Sequence, residues 1–379
     1  MDLVLSAAAV VAPDRVLRPG WVQVAGPLIV AVGEGAPPQD ADVVDLGDAV
    51  LVPGFVDVHC HGGGGQSFGE DVEGSLAAAR SHAAHGTTTI VASLVTGPRD
   101  RIRREIDALT PLVQDGVLAG IHLEGPWLSH HQCGAHDPQQ LRAPAQDEVD
   151  ELVGRDAVVM VTIAPELERG LDAVRQIASL GAVAAVGHTD ADHATVRAAV
   201  EAGATQATHL FNAMRPLRHR DPGPVVALLE DPRVSLELIR DGVHLDPALC
   251  AWLDAAIDPS RLLAVTDAMA AAGAADGRYL LGDLEVDVED GVARIAGTPT
   301  IAGSTATADL LLRSIAGPDP DDAALLRAVR QTAANPAQAL RLEGRGELAA
   351  GARADVVVLE PGGLRVRRVL RAGEWIAAS

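Results

Sequence analysis

The chain has 379 residues, 52 of them acidic and 30 basic, for a net charge of -22. Its apolar share is 48 % but aromatics are only 2 %, so few rings could stack on bases and the acidic surface repels phosphate backbones and anionic lipid. Nucleic-acid and membrane partners are therefore not expected; the length suits one large domain plus a small one, and no apolar run approaches the length that spans a bilayer.

The N-terminal stretch Met1–Ala12 is apolar but lacks a basic n-region, carries Asp2 and runs into the turn-prone Pro13-Asp14. It reads as a first strand rather than a secretory signal. Short β-rich runs follow, Leu3–Val10, Trp21–Val24, Leu28–Val32 and Ala41–Asp45, none long enough for a helix. The chain end repeats this texture in Ala354–Leu359 and Leu364–Leu370 around Gly362-Gly363. Residues 1–50 and 345–379 are thus expected to build one small β-sandwich from both termini. Cys60, Cys133 and Cys250 are too few and too scattered for a disulfide framework, which fits a reducing cytoplasm.

The middle, residues 51–344, alternates strand and helix. Candidate strands are Val52–His59, Thr88–Leu94, Gly120–Glu124, Ala157–Ile163, Ala182–His188, Gln206–Leu210, Val234–Arg240 and Leu262–Asp267. Amphipathic helical stretches such as Ser75–His85, Glu168–Leu180 and His193–Ala202 lie between them. Eight strands joined in this way predict an α/β fold, a (β/α)8 TIM barrel. Around 275–297 the pattern turns to Gly-punctuated β-like runs, read as a hairpin inserted after strand 8, and helices over 305–315 and 322–334 complete the middle.

Chemistry in such barrels sits at the carboxyl ends of the strands. His59 and His61 end the first candidate strand, Glu124 the third, His188 the fifth, and Asp267 the eighth, with His209 near the end of the sixth. Six ligand-type residues share one rim. His59 and His61, spaced i and i+2, face the same side of a strand while Cys60 faces away. Imidazoles with carboxylates suit zinc and similar first-row divalent ions. His122, one pleat deeper than Glu124, is expected to orient a ligand rather than bind metal. His82, His85 and His193 lie on helical stretches and read as packing or capping residues. Asp267, in Val265-Thr266-Asp267-Ala268, could cap the next turn. Facing a metal it could instead deprotonate a bound water and later protonate a leaving amine. The most basic stretch, Arg215-Pro216-Leu217-Arg218-His219-Arg220, follows the His209 position. It is either a solvated loop or a site for an anion, since guanidinium forks match phosphate oxygens.

Asp57-Val58-His59-Cys60-His61 resembles the HxH signature of metal-binding barrel hydrolases. Many of these bridge two metals with a carbamoylated lysine, and the chain contains no lysine. The principal carboxylate must then be an acid, and dihydroorotase-type chemistry that relies on the modified lysine is excluded. His122-Leu123-Glu124-Gly125-Pro126-Trp127, Gly187-His188-Thr189, His209-Leu210-Phe211-Asn212-Ala213-Met214, Asp241-Gly242-Val243-His244 and Thr266-Asp267-Ala268 together resemble the N-acetylglucosamine-6-phosphate deacetylases of the amidohydrolase superfamily. The likeness spans the barrel and includes the tail Gly346-Glu347-Leu348 to Gly351-Ala352-Arg353-Ala354-Asp355.

The resemblance implies that Glu124, His188 and His209 hold the principal metal, with His59 and His61 making a second metal plausible, so one or two divalent ions per subunit. It implies Asp267 as proton acceptor and donor toward a metal-bound water, and His136 against the substrate carbonyl, with Ala135 beside it. Asn212, Ala213, Arg220 and His244 would hold the sugar phosphate, and Ile301-Ala302-Gly303 would close over the ring. The reaction implied is hydrolysis of the acetamide of N-acetyl-D-glucosamine 6-phosphate. Alternatives are the galactosamine epimer, an N-acyl amino acid, or a non-catalytic scaffold. A homodimer is expected from the resemblance alone. Cys133, three residues before His136, is a possible modulator.

Overall fold

The computed structural model describes residues 2–38 and 42–376; Met1 and Ala41, which fall within the expected N-terminal strands, lie outside the described residues, as do residues 377–379. The chain divides into two compact units, the described parts of Met1–Asp57, Arg80–Thr89 and Thr307–Ser379 forming one, and Val58–Ala79 with Ile90–Ala306 the other.

Eight strands form one parallel sheet in sequence order: β1 (Phe55–Cys60), β2 (Thr87–Val95), β3 (Gly120–Glu124), β4 (Val158–Ile163), β5 (Val183–Val186), β6 (Ala204–Ala207), β7 (Ser235–Leu238) and β8 (Leu262–Ala264). An isolated parallel bridge between Cys60 and Ala268 brings the two ends of the sheet together, giving the (β/α)8 barrel. Most strand residues are buried, as expected where helices cover a parallel sheet. Helices α1 (Val72–Ala84), α2 (Arg99–Gln114), α3 (Gln146–Val153), α4 (Gly170–Ser179) and α5 (His193–Ala202) send Ala78, Ile102, Ile106, Val149, Leu152, Val174, Ile177 and Val196 into one core with strand residues such as Ile121, Val161 and Val186. Each fully buried aliphatic side chain contributes roughly 1.5–3 kcal/mol, and with aromatics scarce, Val, Leu and Ala supply that burial.

In the other unit, strands from both chain ends pair: Val356–Leu359 runs antiparallel to Val50–Pro53, in a six-stranded sheet that also holds Ala9–Val11. A four-stranded sheet contains Asp2–Ala7, Gly20–Ala25, Leu28–Glu34 and Asp42–Asp45. Leu5, Val22 and Val24 of the smaller sheet share a core with Val10, Leu51, Val356 and Leu370 of the larger one. This is the sandwich built from both termini.

Several boundaries differ from expectation for identifiable reasons. The run Leu3–Val10 is broken at Ala8, so that its halves join different sheets. Val52–His59 is split at Gly54, where a Cβ would fall 2.1 Å from the Thr88 hydroxyl oxygen, and the backbone changes sheet there. The insertion after β8 is a three-stranded antiparallel sheet, Gly277–Leu281, Leu284–Glu289 and Val292–Ile295, rather than a single hairpin.

Candidate metal centre and active site

The carboxyl ends of the barrel strands carry the ionisable side chains inward. His59 lies on β1 and Glu124 ends β3, but the other rim residues sit beyond their strands. His188, His209 and Asp267 follow β5, β6 and β8 with φ of 46°, 26° and 46°. This left-handed conformation is rare for residues with a Cβ and is held only where surroundings enforce it. It ends the pleat and turns each side chain toward the barrel axis. Gly187 makes the turn at His188 possible, because a Cβ there would lie 2.6 Å from Thr208 Cβ and 2.8 Å from Thr162 Cγ2.

Two groups of ligand-type residues meet at Glu124: His59 and His61 on one side, His188 and His209 on the other. Glu124 Oε1 is 3.1 Å from His188 Nε2 and 3.0 Å from His209 Nε2. Its Oε2 is 3.1 Å from His61 Nε2 and 3.2 Å from His136 Nε2. His59 and His61 approach Nε2 to Nε2 at 3.2 Å. Asp267 Oδ1 is 3.2 Å from His61 Nε2 and 3.4 Å from His59 Nε2.

The outer nitrogens settle how the rings are protonated. His188 Nδ1 donates to the Gln132 carbonyl at 2.9 Å, His61 Nδ1 to the Ser93 carbonyl at 3.1 Å, and His59 Nδ1 to the Glu237 carboxylate at 3.0 Å. In the neutral rings Nε2 then carries the lone pair, directed at the shared centre. Burial pushes His188 down to about 4, so its lone pair faces the Glu124 carboxylate at hydrogen-bond distance with no proton between them. Such a contact repels unless a cation lies there. Burial also opposes charge on His61, yet Asp267 and Glu124 outweigh it and raise that ring to about 9. The carboxylates thus draw positive charge into the centre. Three of the four histidines are anchored through Nδ1, and all four converge on carboxylates through Nε2; this is the donor set of a divalent metal site, and the residues fit such an ion.

His136 has the opposite tautomer. Its Nδ1 accepts the backbone N–H of Thr96 at 3.4 Å, which leaves Nε2–H as a donor facing the centre. Burial works against ionisation of Asp267, but His59 and His61 outweigh it and hold the carboxyl well below its usual range. The backbone fixes Asp267 as well, its N–H donating to the His59 carbonyl at 2.8 Å and its carbonyl accepting from Ser304 at 2.7 Å.

A cavity of about 380 Å³ opens onto this centre, within the range of small-molecule sites. Its walls include His61, Glu124, His188, His209 and Asp267, together with Ala135, His136, Asn212, Ala213, His244, Ile301 and Gly303. His59 is fully buried behind the wall, and Ala302 is fully buried as well. Arg220 is exposed and is not part of the wall of this single chain. Cys133 is a wall residue with a free thiol. His122 bonds Ser93 Oγ at 2.9 Å and Thr162 Oγ1 at 2.8 Å, and it meets His59 only edge to face, with ring centroids 4.6 Å apart. On the helical surface, His193 pairs with Glu230 at 2.8 Å.

Glu237 and the backbone of Ser93 and Gln132 have no place in the sequence reading, and Asp241, which holds His244 Nδ1 at 2.7 Å, appears there only within a motif and without a role. For Glu237 a signal existed: it is the only charged residue in the run Val234–Ile239, and a lone acid within an otherwise apolar parallel strand points inward as readily as out.

The Amidohydrolase family matches residues 50–376. The N-acetylglucosamine-6-phosphate deacetylase of Bos taurus is 38 % identical over 351 residues, 88 % of this chain and 84 % of that one. The N-acetylgalactosamine-6-phosphate deacetylase of Escherichia coli O157:H7 is 33 % identical over 99 % of both chains. Among solved structures, the D267A mutant of N-acetyl-D-glucosamine-6-phosphate deacetylase from Mycobacterium smegmatis, in complex with N-acetyl-D-glucosamine-6-phosphate, superposes with a TM-score of 0.95 at 50 % identity over 99 % of each chain. The chain belongs to the amidohydrolase family, alongside the N-acetylglucosamine-6-phosphate deacetylases.

Proposed function

We propose that the chain hydrolyses the acetamide of N-acetyl-D-glucosamine 6-phosphate to D-glucosamine 6-phosphate and acetate. The observation that carries this reading is the meeting, at one cavity, of an ionised Asp267, a donor Nε2–H on His136 and two histidine groups that share Glu124, with His59 buried just behind the wall. The relative at 50 % identity that was captured with N-acetyl-D-glucosamine-6-phosphate supports the substrate.

Glu124, His188 and His209 would hold the principal divalent metal, and His59 with His61 a second; zinc suits this nitrogen-rich set best. When bound, the metal supplies Lewis-acid polarisation of the amide carbonyl and makes the attacking water more acidic. Asp267, held ionised, accepts the proton of that water. The same carboxyl then returns it to the leaving nitrogen, so one residue serves as base and acid in turn. His136 donates from Nε2 to the carbonyl oxygen as negative charge gathers on it. Asn212, Ala213 and His244 line the part of the cavity where the sugar phosphate would lie, with Arg220 as its cationic partner, and Ile301, Ala302 and Gly303 as the segment over the ring. These remote contacts position the amide for attack.

No helix among the described residues is long and apolar enough to cross a membrane. A cytoplasmic homodimer, with residues 1–50 and 345–379 as the small domain and 51–344 as the catalytic barrel, completes the proposal. The full-length likeness to the galactosamine-phosphate deacetylase favours one second reading, the epimeric substrate. Acetate release measured side by side on the two 6-phosphates and on an N-acetyl amino acid separates them. The glucosamine compound should give the highest kcat/KM; faster turnover of the epimer would install the second reading, and faster turnover of the amino acid would remove both.

A further inference from the structure

One buried carboxylate of the barrel interior takes no part in the chemistry above. Glu237, on β7, is fully buried. Its Oε2 accepts from His59 Nδ1 at 3.0 Å and from the backbone N–H of His209 at 3.1 Å, and its Oε1 accepts from Gln206 Nε2 at 2.5 Å. Among the described residues, His59 is the only ionisable side chain within ion-pair distance of it. A carboxylate fully removed from water is strongly disfavoured without a positive partner. Neither Gln206 nor a backbone amide carries charge, so compensation must reach Glu237 through the His59 ring. An imidazole whose Nδ1–H rests on a carboxylate is a more basic ligand at Nε2, and that atom of His59 points into the group formed with His61 and Glu124. The same oxygen also steadies the backbone at His209, whose φ of 26° takes it out of the strand conformation. Glu237 therefore touches one residue from each histidine group.

We infer that Glu237 is the positioning carboxylate of the metal centre, fixing His59 as the Nδ1–H tautomer and so setting the affinity of the His59–His61–Glu124 group for a divalent cation. This rests on the reading of the centre as a metal site with two histidine groups.

The test is cobalt(II) titration of metal-stripped protein, following visible absorption and bound metal per subunit, for the wild type, Glu237→Gln, His59→Asn and the double variant. In E237Q one cobalt equivalent should weaken by about 10- to 100-fold while the other stays within about threefold. The double variant should bind no more weakly than H59N, because Glu237 acts through His59. Metal-free E237Q should melt no lower than the metal-free wild type, since it loses a buried charge as well as an acceptor. Unchanged cobalt affinity in E237Q overturns the inference, and so does a metal-free melting temperature lowered as far as that of the loaded protein, which marks a merely structural residue. A wild type that takes up fewer than two cobalt ions removes the underlying two-group reading and the inference with it. A measurement on the wild type alone covers the case in which E237Q does not fold: nitrogen-15 histidine spectra of the zinc-loaded protein, assigned with H59N, should show Nδ1–H at His59. Nε2–H there overturns the inference.

Discussion

His188 and His209 bring their Nε2 atoms to 3.0 Å from each other, both against Oε1 of Glu124. They belong to different strand ends, and each is turned inward by a left-handed backbone rather than by the pleat. The arrangement places two imidazole nitrogens and a carboxylate oxygen around one point, and it has direct consequences for the metal. Removing divalent ions with a chelator should abolish turnover and lower the melting temperature. An ion held at a thousandfold excess over its Kd stabilises the fold by about 4 kcal/mol. An acetate-release assay and scanning calorimetry, each run before and after adding zinc back, check the two effects, and full activity in thoroughly stripped protein would contradict the assignment.

Asp267 faces His61 from the cavity side, ionised and held by backbone contacts on both flanks. Asp267→Asn keeps the shape of the side chain but removes its ability to take and return a proton. The expected loss in kcat is roughly 10²- to 10⁴-fold, with metal content at the wild-type level. Steady-state kinetics and metal analysis of one preparation decide the matter, and retained turnover would take the acid–base role from this residue.

Arg220 is exposed in the single chain, and His244 lies on the cavity wall braced by Asp241. Arg220→Ala should raise KM for the 6-phosphate substrate on the order of 10-fold and leave the weak reaction on the unphosphorylated sugar nearly unchanged. Equal losses on the two substrates would remove phosphate recognition from Arg220.

Away from the centre, burial on α2 pushes Glu105 up from its ordinary 4.5 to about 7, against the pull of Arg101 at 3.3 Å. Because the folded value is raised, the folded protein binds more protons than the unfolded chain between about pH 4.5 and 7. This group's contribution to stability therefore falls as pH rises through that window and levels off above it. Glu105→Gln should remove this slope and stabilise the fold at pH 8 on the order of 1–3 kcal/mol. Urea denaturation of both proteins at pH 5 and pH 8 reads the difference; a variant less stable than wild type at pH 8 would show that the pairing with Arg101 outweighs burial.

The barrel was legible because its strands are short apolar runs with helical stretches between them, and the ligand-type residues recur near the ends of those runs. What the pattern could not show was where each strand stops. The apolar runs suggest strands reaching to or beyond His188, His209 and Asp267, whereas β5, β6 and β8 end at Val186, Ala207 and Ala264. Left-handed turns depend on tertiary enforcement, as at Gly187 against Thr208, and leave little mark on hydrophobic period. Glu237 stands out as the one charged residue of its apolar run, but nothing local says what it faces, because its partner His59 lies 178 residues away. The turns at Gly282 and Gly291 that make three strands of the inserted segment were present in the sequence as glycines, but only pairing distinguishes a hairpin from a longer meander.

Metal-dependent deacetylation of a phosphorylated amino sugar is best checked by acetate release from N-acetyl-D-glucosamine 6-phosphate beside its unphosphorylated parent, with bound metal counted in the same sample. At least one divalent ion per subunit and a kcat/KM higher by about 100-fold or more for the phosphate are expected. Equal rates on the two sugars, or turnover by protein that holds no metal, would rule this function out.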